Sequence, residues 1–228
     1  MEPEQIAAAL LALGTGVGVA GYLRRERRTR EGRRAAYLSD CARLFTDRTM
    51  AVAPTGFARL SGRHEGDLWD IQVVPDTLTL RKLPALWVLV SLPQALPITG
   101  TVDVMLRPTG VETFSNFGQL PVQIAVPPGF PADCAIRTDA PGWMPGTGAL
   151  REVLEAVDSD RLKEVLITPK GVRLVFLAEE ADRGRYLIFR DSEMGRRALS
   201  PARLLPFMAG AQRLRDAVVA ESRERQQA

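Results

Sequence analysis

Histidine, cysteine and paired carboxylates are the usual material of catalytic and metal centres, and this sequence is sparing with the first two. Its lone histidine, His64, stands in the run Ser61-Gly-Arg-His-Glu-Gly-Asp67. Glu65 and Asp67 add two oxygen donors, but no second histidine or cysteine cluster completes a ligand set, so His64 reads as an exposed turn residue and no metal is expected. The two cysteines, Cys41 and Cys134, lie far apart. They make neither a disulfide framework nor a zinc site and read as unpaired thiols. Nothing in the sequence places Cys134 beside His64 as a nucleophile and base. Asp103, Glu112 and Asp139 would serve acid–base chemistry if the fold brought them together, yet each also sits where a strand-end charge is routine. G-x-S-x-G, H-E-x-x-H and P-loop signatures are absent from the sequence. No residue is therefore assigned a catalytic, cofactor-binding or metal-binding role, and an enzyme is the less favoured reading.

One motif match needs separate treatment. Gly16-Val-Gly-Val-Ala-Gly21 fits G-x-G-x-x-G. A dinucleotide fingerprint needs a strand before the glycines and a helix with an apolar face after them. Upstream stands the helix-favouring Ile6-Ala-Ala-Ala-Leu-Leu-Ala-Leu13, and downstream stands an arginine run. Both flanks disagree with the fingerprint, so no cofactor is expected.

The same residues read better as a membrane helix. Ile6 to Leu23 is uncharged over eighteen residues, which at about 1.5 Å per residue is about 27 Å, near the thickness of a hydrocarbon core. Five alanines and four glycines make its apolarity marginal. Gly14 and Gly18 form G-x-x-x-G, a pattern that lets two helices approach closely, so a homodimer through this helix is an expectation.

After the span come seven arginines within residues 24–34, against Glu26 and Glu31. A signal peptide carries its positive charge before the apolar run; here the charge follows it. A cluster in that place stays on the cytoplasmic side. The N-terminus is therefore expected outside the inner membrane and everything beyond Arg24 in the cytoplasm. Tyr22, Arg24, Arg25, Arg27 and Arg28 are the expected lipid contacts, each cation near the surface worth about 1 kcal/mol. No aromatic residues interleave with the arginines, so nucleic acid is not the expected partner.

The elements that must position all this follow from periodicity. Pairs such as Glu26 with Arg30 suit a helix continuing from about Gln5 to about Thr46, loosened at Gly32, as a stalk. From about Thr55 the pattern changes to short Val-, Leu-, Ile- and Thr-rich runs divided by Pro and Gly: 68–75, 77–81, 86–92, 101–108, 122–126 and 134–139. A helix is expected over 148–160. A meander follows, with strands at 165–168, 172–177 and 186–189. Ser200 and Pro201 read as the N-cap and first turn of a C-terminal helix, with a frayed tail after Glu221. The expected class is α+β: a transmembrane helix and basic stalk over 1–50, then a mainly antiparallel β domain with a C-terminal helix over 51–228. The two strand blocks form one sheet or two subdomains divided near 140–150.

Two loops carry large apolar groups and are the expected partner contacts: Phe114 and Phe117 in 113–118, and Trp143 and Met144 in 139–148. The expected function is a single-pass, membrane-anchored accessory, scaffold or assembly protein, whose cytoplasmic domain binds a protein in a membrane complex. The alternatives are a membrane-tethered enzyme of unknown reaction, with a cleft near His64, Asp103 or Asp139, and an anionic-lipid surface sensor using Arg24–Arg34 and Trp143.

Overall fold

A computed structural model describes residues 3–77, 83–142, 144–145, 147–157, 160–184, 186 and 194–227, with the side chains of 3–12 and 226 outside the description. The first element, α1, runs from Pro3 to Ala35. It does not continue to Thr46. Its last backbone bond, from Ala36 N to Gly32 O, gives way to tight turns in which Tyr37 N donates to Arg34 O and Ser39 N to Ala36 O. A one-turn helix, α2 (Ser39–Ala42), follows. The break has a packing cause. Tyr37, Leu38, Cys41 and Phe45 are all buried, and a straight helix would carry them past the sheet they pack against.

Nine strands follow among the described residues: β1 (Thr46–Val52), β2 (Ala58–His64), β3 (Asp67–Asp76), β4 (Ala85–Pro93), β5 (Val102–Leu106), β6 (Val122–Ile124), β7 (Cys134–Thr138), β8 (Leu162–Thr168) and β9 (Gly171–Glu180). They join one sheet in the order β1-β2-β3-β4-β9-β8-β5-β7-β6, and every pairing is antiparallel. Among the described residues, two helices of ten or more residues complete the domain, α3 (Thr147–Ala156) and α4 (Pro201–Gln227). The class is thus α+β with a mainly antiparallel sheet and a C-terminal helix.

One face of the sheet carries the main core. Alternation places Val88, Val90 and Leu92 of β4, Val102 and Val104 of β5, Val165 and Ile167 of β8 and Val172 and Leu174 of β9 on it. Leu204, Phe207, Met208, Ala211, Leu214 and Val218 of α4 and Leu150, Val153 and Leu154 of α3 cover them. The Phe176 and Phe207 rings stack with centroids 3.9 Å apart. At Gly210 a Cβ would meet Leu174 Cδ2 and Val157 Cγ2 at 3.2 Å, so the missing side chain lets α4 lie against β9.

Two sequence expectations change here, and one falls outside the description. The run 77–81 lies, apart from Thr77, outside the described residues. Tyr186, expected to open a strand, instead sits in a helical turn with its N–H on Asp182 O at 2.9 Å, and residues 187–189 lie outside the description. The C-terminal helix does not fray at Glu221 but runs to Gln227.

The expected membrane span is not supported. Among the described residues no helix is long and apolar enough to cross a membrane. The cause is composition: residues 13–23, the part of the span with described side chains, hold four glycines, an alanine and a threonine. Residues 6–12, the other part, fall outside the described side chains.

Candidate functional site

Two groupings of polar side chains emerge, one sealed inside the domain and one along α1. The inner one lies on the face of the sheet opposite the helices. Asp103 and Met105 of β5 point there, as do Glu164 of β8, Arg173 and Val175 of β9, and Trp87 and Leu89 of β4. The alternation is preserved by a register shift between Leu162 and Glu164, which takes Lys163 out of step. The segment 107–121 straps across this face. Phe114 is buried in a small second core with Leu89, Met105 and Val175, and Trp87 and Phe117 flank it. The Trp87 and Phe114 centroids are 5.1 Å apart.

The strap is pinned at its start. Arg107 takes a left-handed conformation, φ 47°, which is uncommon for a residue with a side chain. Its Nη2 donates to Leu162 O at 2.6 Å and Asp160 O at 3.1 Å. Lys163 Nζ donates to Arg107 O at 2.5 Å and pairs with Glu112 Oε1 at 3.0 Å. Both side chains of that pair are almost fully buried. Glu112 Oε1 also accepts from Thr109 N and Thr109 Oγ1 at 3.0 and 2.7 Å. A buried ion pair fixes geometry more than it adds stability, because desolvation offsets much of the Coulomb attraction.

Beneath the strap, Asp103 and Glu164 stand side by side with Arg173, whose Nη2 lies 3.1 Å from Glu164 Oε2. Asp103 is 2 % exposed and Glu164 fully buried. Burial, and then the like charge of Glu164, push the Asp103 carboxyl up to about 9. Burial also raises Glu164, opposed by Arg173 and by hydrogen bonds from Ser115 and Asp103. The guanidinium sits on Glu164, so Asp103 is the carboxyl that keeps a proton at neutral pH. Asp103 Oδ1, Glu164 Oε1, Arg173 Nε and Trp87 Nε1 are buried without a hydrogen-bond partner. The arrangement can hold one proton out of water and tie three strands to the strap.

The expected catalytic candidates do not converge. Asp139 Oδ1 accepts from Thr101 N at 2.6 Å and clamps the entry to β5. Glu112 belongs to Lys163. His64 Nδ1 lies 2.7 Å from Leu44 O and its ring tilts against Phe45, so it ties the end of β2 to the chain leaving α2 rather than standing in an exposed turn. Cys134 is on β7, six strand steps from β2, or about 29 Å at the usual strand spacing. A Cys134–His64 pair is excluded. Cys41 Sγ donates to Leu199 O at 3.1 Å, and burial pushes its thiol up to about 12. Neither thiol is activated. Among the described residues no group of three or more His, Cys, Asp or Glu is placed to hold a metal.

Tyr22, Arg24, Arg25, Arg27 and Arg28 lie exposed along α1. A Cβ built at Gly14 or Gly18 meets nothing within 4 Å, so no described residue is packed against α1 at these two positions. Phe117 is half-buried, with Arg137 5.7 Å from its ring centroid. Met144 is half-buried against the main core, and Trp143 lies outside the described residues. Sequence reasoning missed Lys163, Glu164 and Arg173. The available signal was a Lys-Glu pair inside the apolar strand Leu162-Lys-Glu-Val-Leu-Ile-Thr168.

No family model and no curated protein matches the chain. Among solved structures, the crystal structure of the mycobacterial trehalose monomycolate transport factor A, TtfA, is similar to it, with 10% identity, a TM-score of 0.39, and coverage of 82% of this chain and 94% of that one.

The inner cluster has a pH signature. With its folded pKa raised above the ordinary carboxyl value, Asp103 favours the native state fully at low pH. That contribution is lost as pH climbs from about 4 towards 9. The urea midpoint of the protein should fall between pH 5 and pH 9, and Asp103→Asn, which has no proton to lose, should flatten that fall. An unchanged slope in the variant would show that Asp103 is ionised in the native protein.

Proposed function

We propose that this chain is a membrane-tethered accessory protein: α1 places its N-terminal half in a bilayer, its arginines lie among the headgroups, and the α+β domain works on the arginine side. One observation carries the reading. Every described α1 residue from Leu13 to Arg25 is exposed, including Leu13, Val17, Val19, Tyr22 and Leu23, whose side chains are between 56% and 67% exposed.

An isolated helix is marginal in water, and apolar side chains left uncovered mark a contact with something outside the chain. By sequence the uncharged run extends back to Ile6, and Arg24 opens the basic segment at its other end. Apolar surface followed at once by guanidinium groups matches the change from acyl chains to phosphates. The accessory role is supported by the inner polar cluster, whose groups lie sealed beneath the strap. Partner contact is proposed at 113–118 through Phe117 and at 139–148 through Met144; Phe114 is committed to the second core.

The full chain should float with neutral phosphatidylcholine vesicles in a density gradient, and Leu13→Glu with Val17→Glu should leave it at the bottom. A wild-type chain that stays at the bottom as a folded monomer overturns the tether. Orientation has its own readout. A reporter active only in the cytoplasm, fused after Ala228, should be active, and one active only outside should be silent. The reverse pattern would place the domain across the membrane.

A further inference from the structure

β1 ends the sheet, and among the described residues no strand pairs with its outer side. An unpaired strand edge is a template for another strand unless the chain blocks it. Two features confine this edge. A register shift between Thr46 and Thr49, with Asp47 in the left-handed region at φ 46°, breaks the ladder at one end. Pro54, which has no N–H, stands just past the strand at the other. Between them Thr49-Met-Ala-Val-Ala53 is free of charge. The nearest cation, Arg48, is turned back, with its Nη1 donating to Ala42 O at 3.2 Å.

The backbone of this stretch has a fixed phase. Ala53 N donates to Phe57 O at 2.8 Å, and the register continues as Val52 with Ala58, Ala51 with Arg59, Met50 with Leu60 and Thr49 with Ser61. Hydrogen-bonded and non-bonded pairs alternate along an antiparallel ladder. Thr49, Ala51 and Ala53 therefore turn their N–H and C=O groups towards β2, and Met50 and Val52 turn theirs to the open edge. The side chains follow the same division. Met50 and Val52 stand opposite Leu60 and Ala58, both in the main core, yet are themselves 41% and 60% exposed. The core face of the sheet ends in two uncovered apolar groups, at the residues whose backbone faces outward.

We propose that β1 pairs with β1 of a second copy of this chain, antiparallel about a two-fold axis at Ala51. The stretch matches itself in that register. Met50 of each copy faces Val52 of the other, and each such pair exchanges two N–H···O=C bonds. Ala51 faces Ala51 as a non-bonded pair, the closer kind. Thr49 faces Ala53, so no charge is opposed or buried. The axis stands perpendicular to the sheet, so every Met50 meets a Val52 on the core face. Moving the axis to Met50 would set Arg48 into the ladder, and moving it to Val52 would set Pro54 there. A two-fold pair closes on itself, whereas a head-to-tail contact with β6 would leave open ends and grow into filaments. The pairing joins two nine-stranded sheets with their straps on one side, so the contact proposed at Phe117 would meet its partner in pairs. It holds with or without the membrane tether.

The test is oxidative cross-linking of the full-length chain in mild detergent, with copper phenanthroline in air. Ala51→Cys is compared with Thr49→Cys, and both keep Cys41 and Cys134, which are buried. In the proposed register the thiols introduced at 51 oppose each other across the axis, whereas those introduced at 49 lie about 14 Å apart along the strands. Ala51→Cys should give a disulfide-linked dimer at least about tenfold faster than Thr49→Cys. Val52→Pro, added to Ala51→Cys, removes an N–H that faces outward and so spares the bonds between β1 and β2. It should bring cross-linking down to the Thr49→Cys rate. Gly14→Ile with Gly18→Ile, added to Ala51→Cys, should leave the rate unchanged. Equal rates for Ala51→Cys and Thr49→Cys would overturn the proposal. A dimer lost on changing the two glycines but kept in Val52→Pro would overturn it in favour of a contact through α1.

Discussion

The rest of the structure depends on a helix that the described residues leave uncovered from Leu13 to Arg25. The domain holds α1 only from about Arg34, whose guanidinium lies 5.4 Å from the Phe57 ring centroid, through Tyr37 and Leu38, which are buried in the main core. Above that root the helix is long, exposed at every residue from Leu13 to Arg25, and carries five large apolar side chains there. Backbone hydrogen bonds within a helix contribute little net stability in water, so such an element persists only where something buries its side chains. We propose that the cover comes from outside the chain. The arginines support a bilayer as that proposed cover, because a bilayer surface is apolar at one level and anionic at the next.

The domain answers that constraint with rigidity. Its sheet is covered on both faces around the central strands, by α3 and α4 on one side and by the strap 107–121 on the other. The strap is thin, and its few apolar groups hold it through Phe114 and Trp87. Polar groups supply the remainder: Glu112 with Lys163, Arg107 with the carbonyls at 160 and 162, and Asp103 with Glu164 and Arg173. Each of these is directional, so the strap has one position instead of several of similar energy. The same economy appears at the root of α1, where the bonds of Leu199 with Tyr37 and of Gly195 with Glu179 fix the 194–200 turn. The proposed tether would transmit orientation only through a stiff attachment, and these contacts supply one.

The sequence carried much of the architecture. Strands β3 to β9 follow runs of alternating apolar residues divided by Pro and Gly, and Ser200-Pro201 announces α4. β1 and β2 were not legible. Thr46–Val52 is exposed along its whole length and Ala58–His64 carries two arginines, a glycine and a serine, so neither has the composition of a buried strand. They are strands because β2 pairs with β3 and β1 with β2, extending the sheet, a tertiary cause. Asp103, Lys163, Glu164 and Arg173 look in sequence like strand charges facing water, and their burial comes from a strap whose path no local pattern specifies. The arginine run itself was plain, whereas the helix break at 36–38 required knowing that Tyr37 and Leu38 both turn inward.

Amide hydrogen exchange across residues 13–23 of the full-length protein, in buffer and with neutral phosphatidylcholine vesicles, tests the central claim most directly. An uncovered helix predicts rapid exchange in buffer and slowing of about tenfold or more when vesicles are added. Strong protection in buffer that vesicles leave unchanged would contradict it, because the helix would then already be covered by protein.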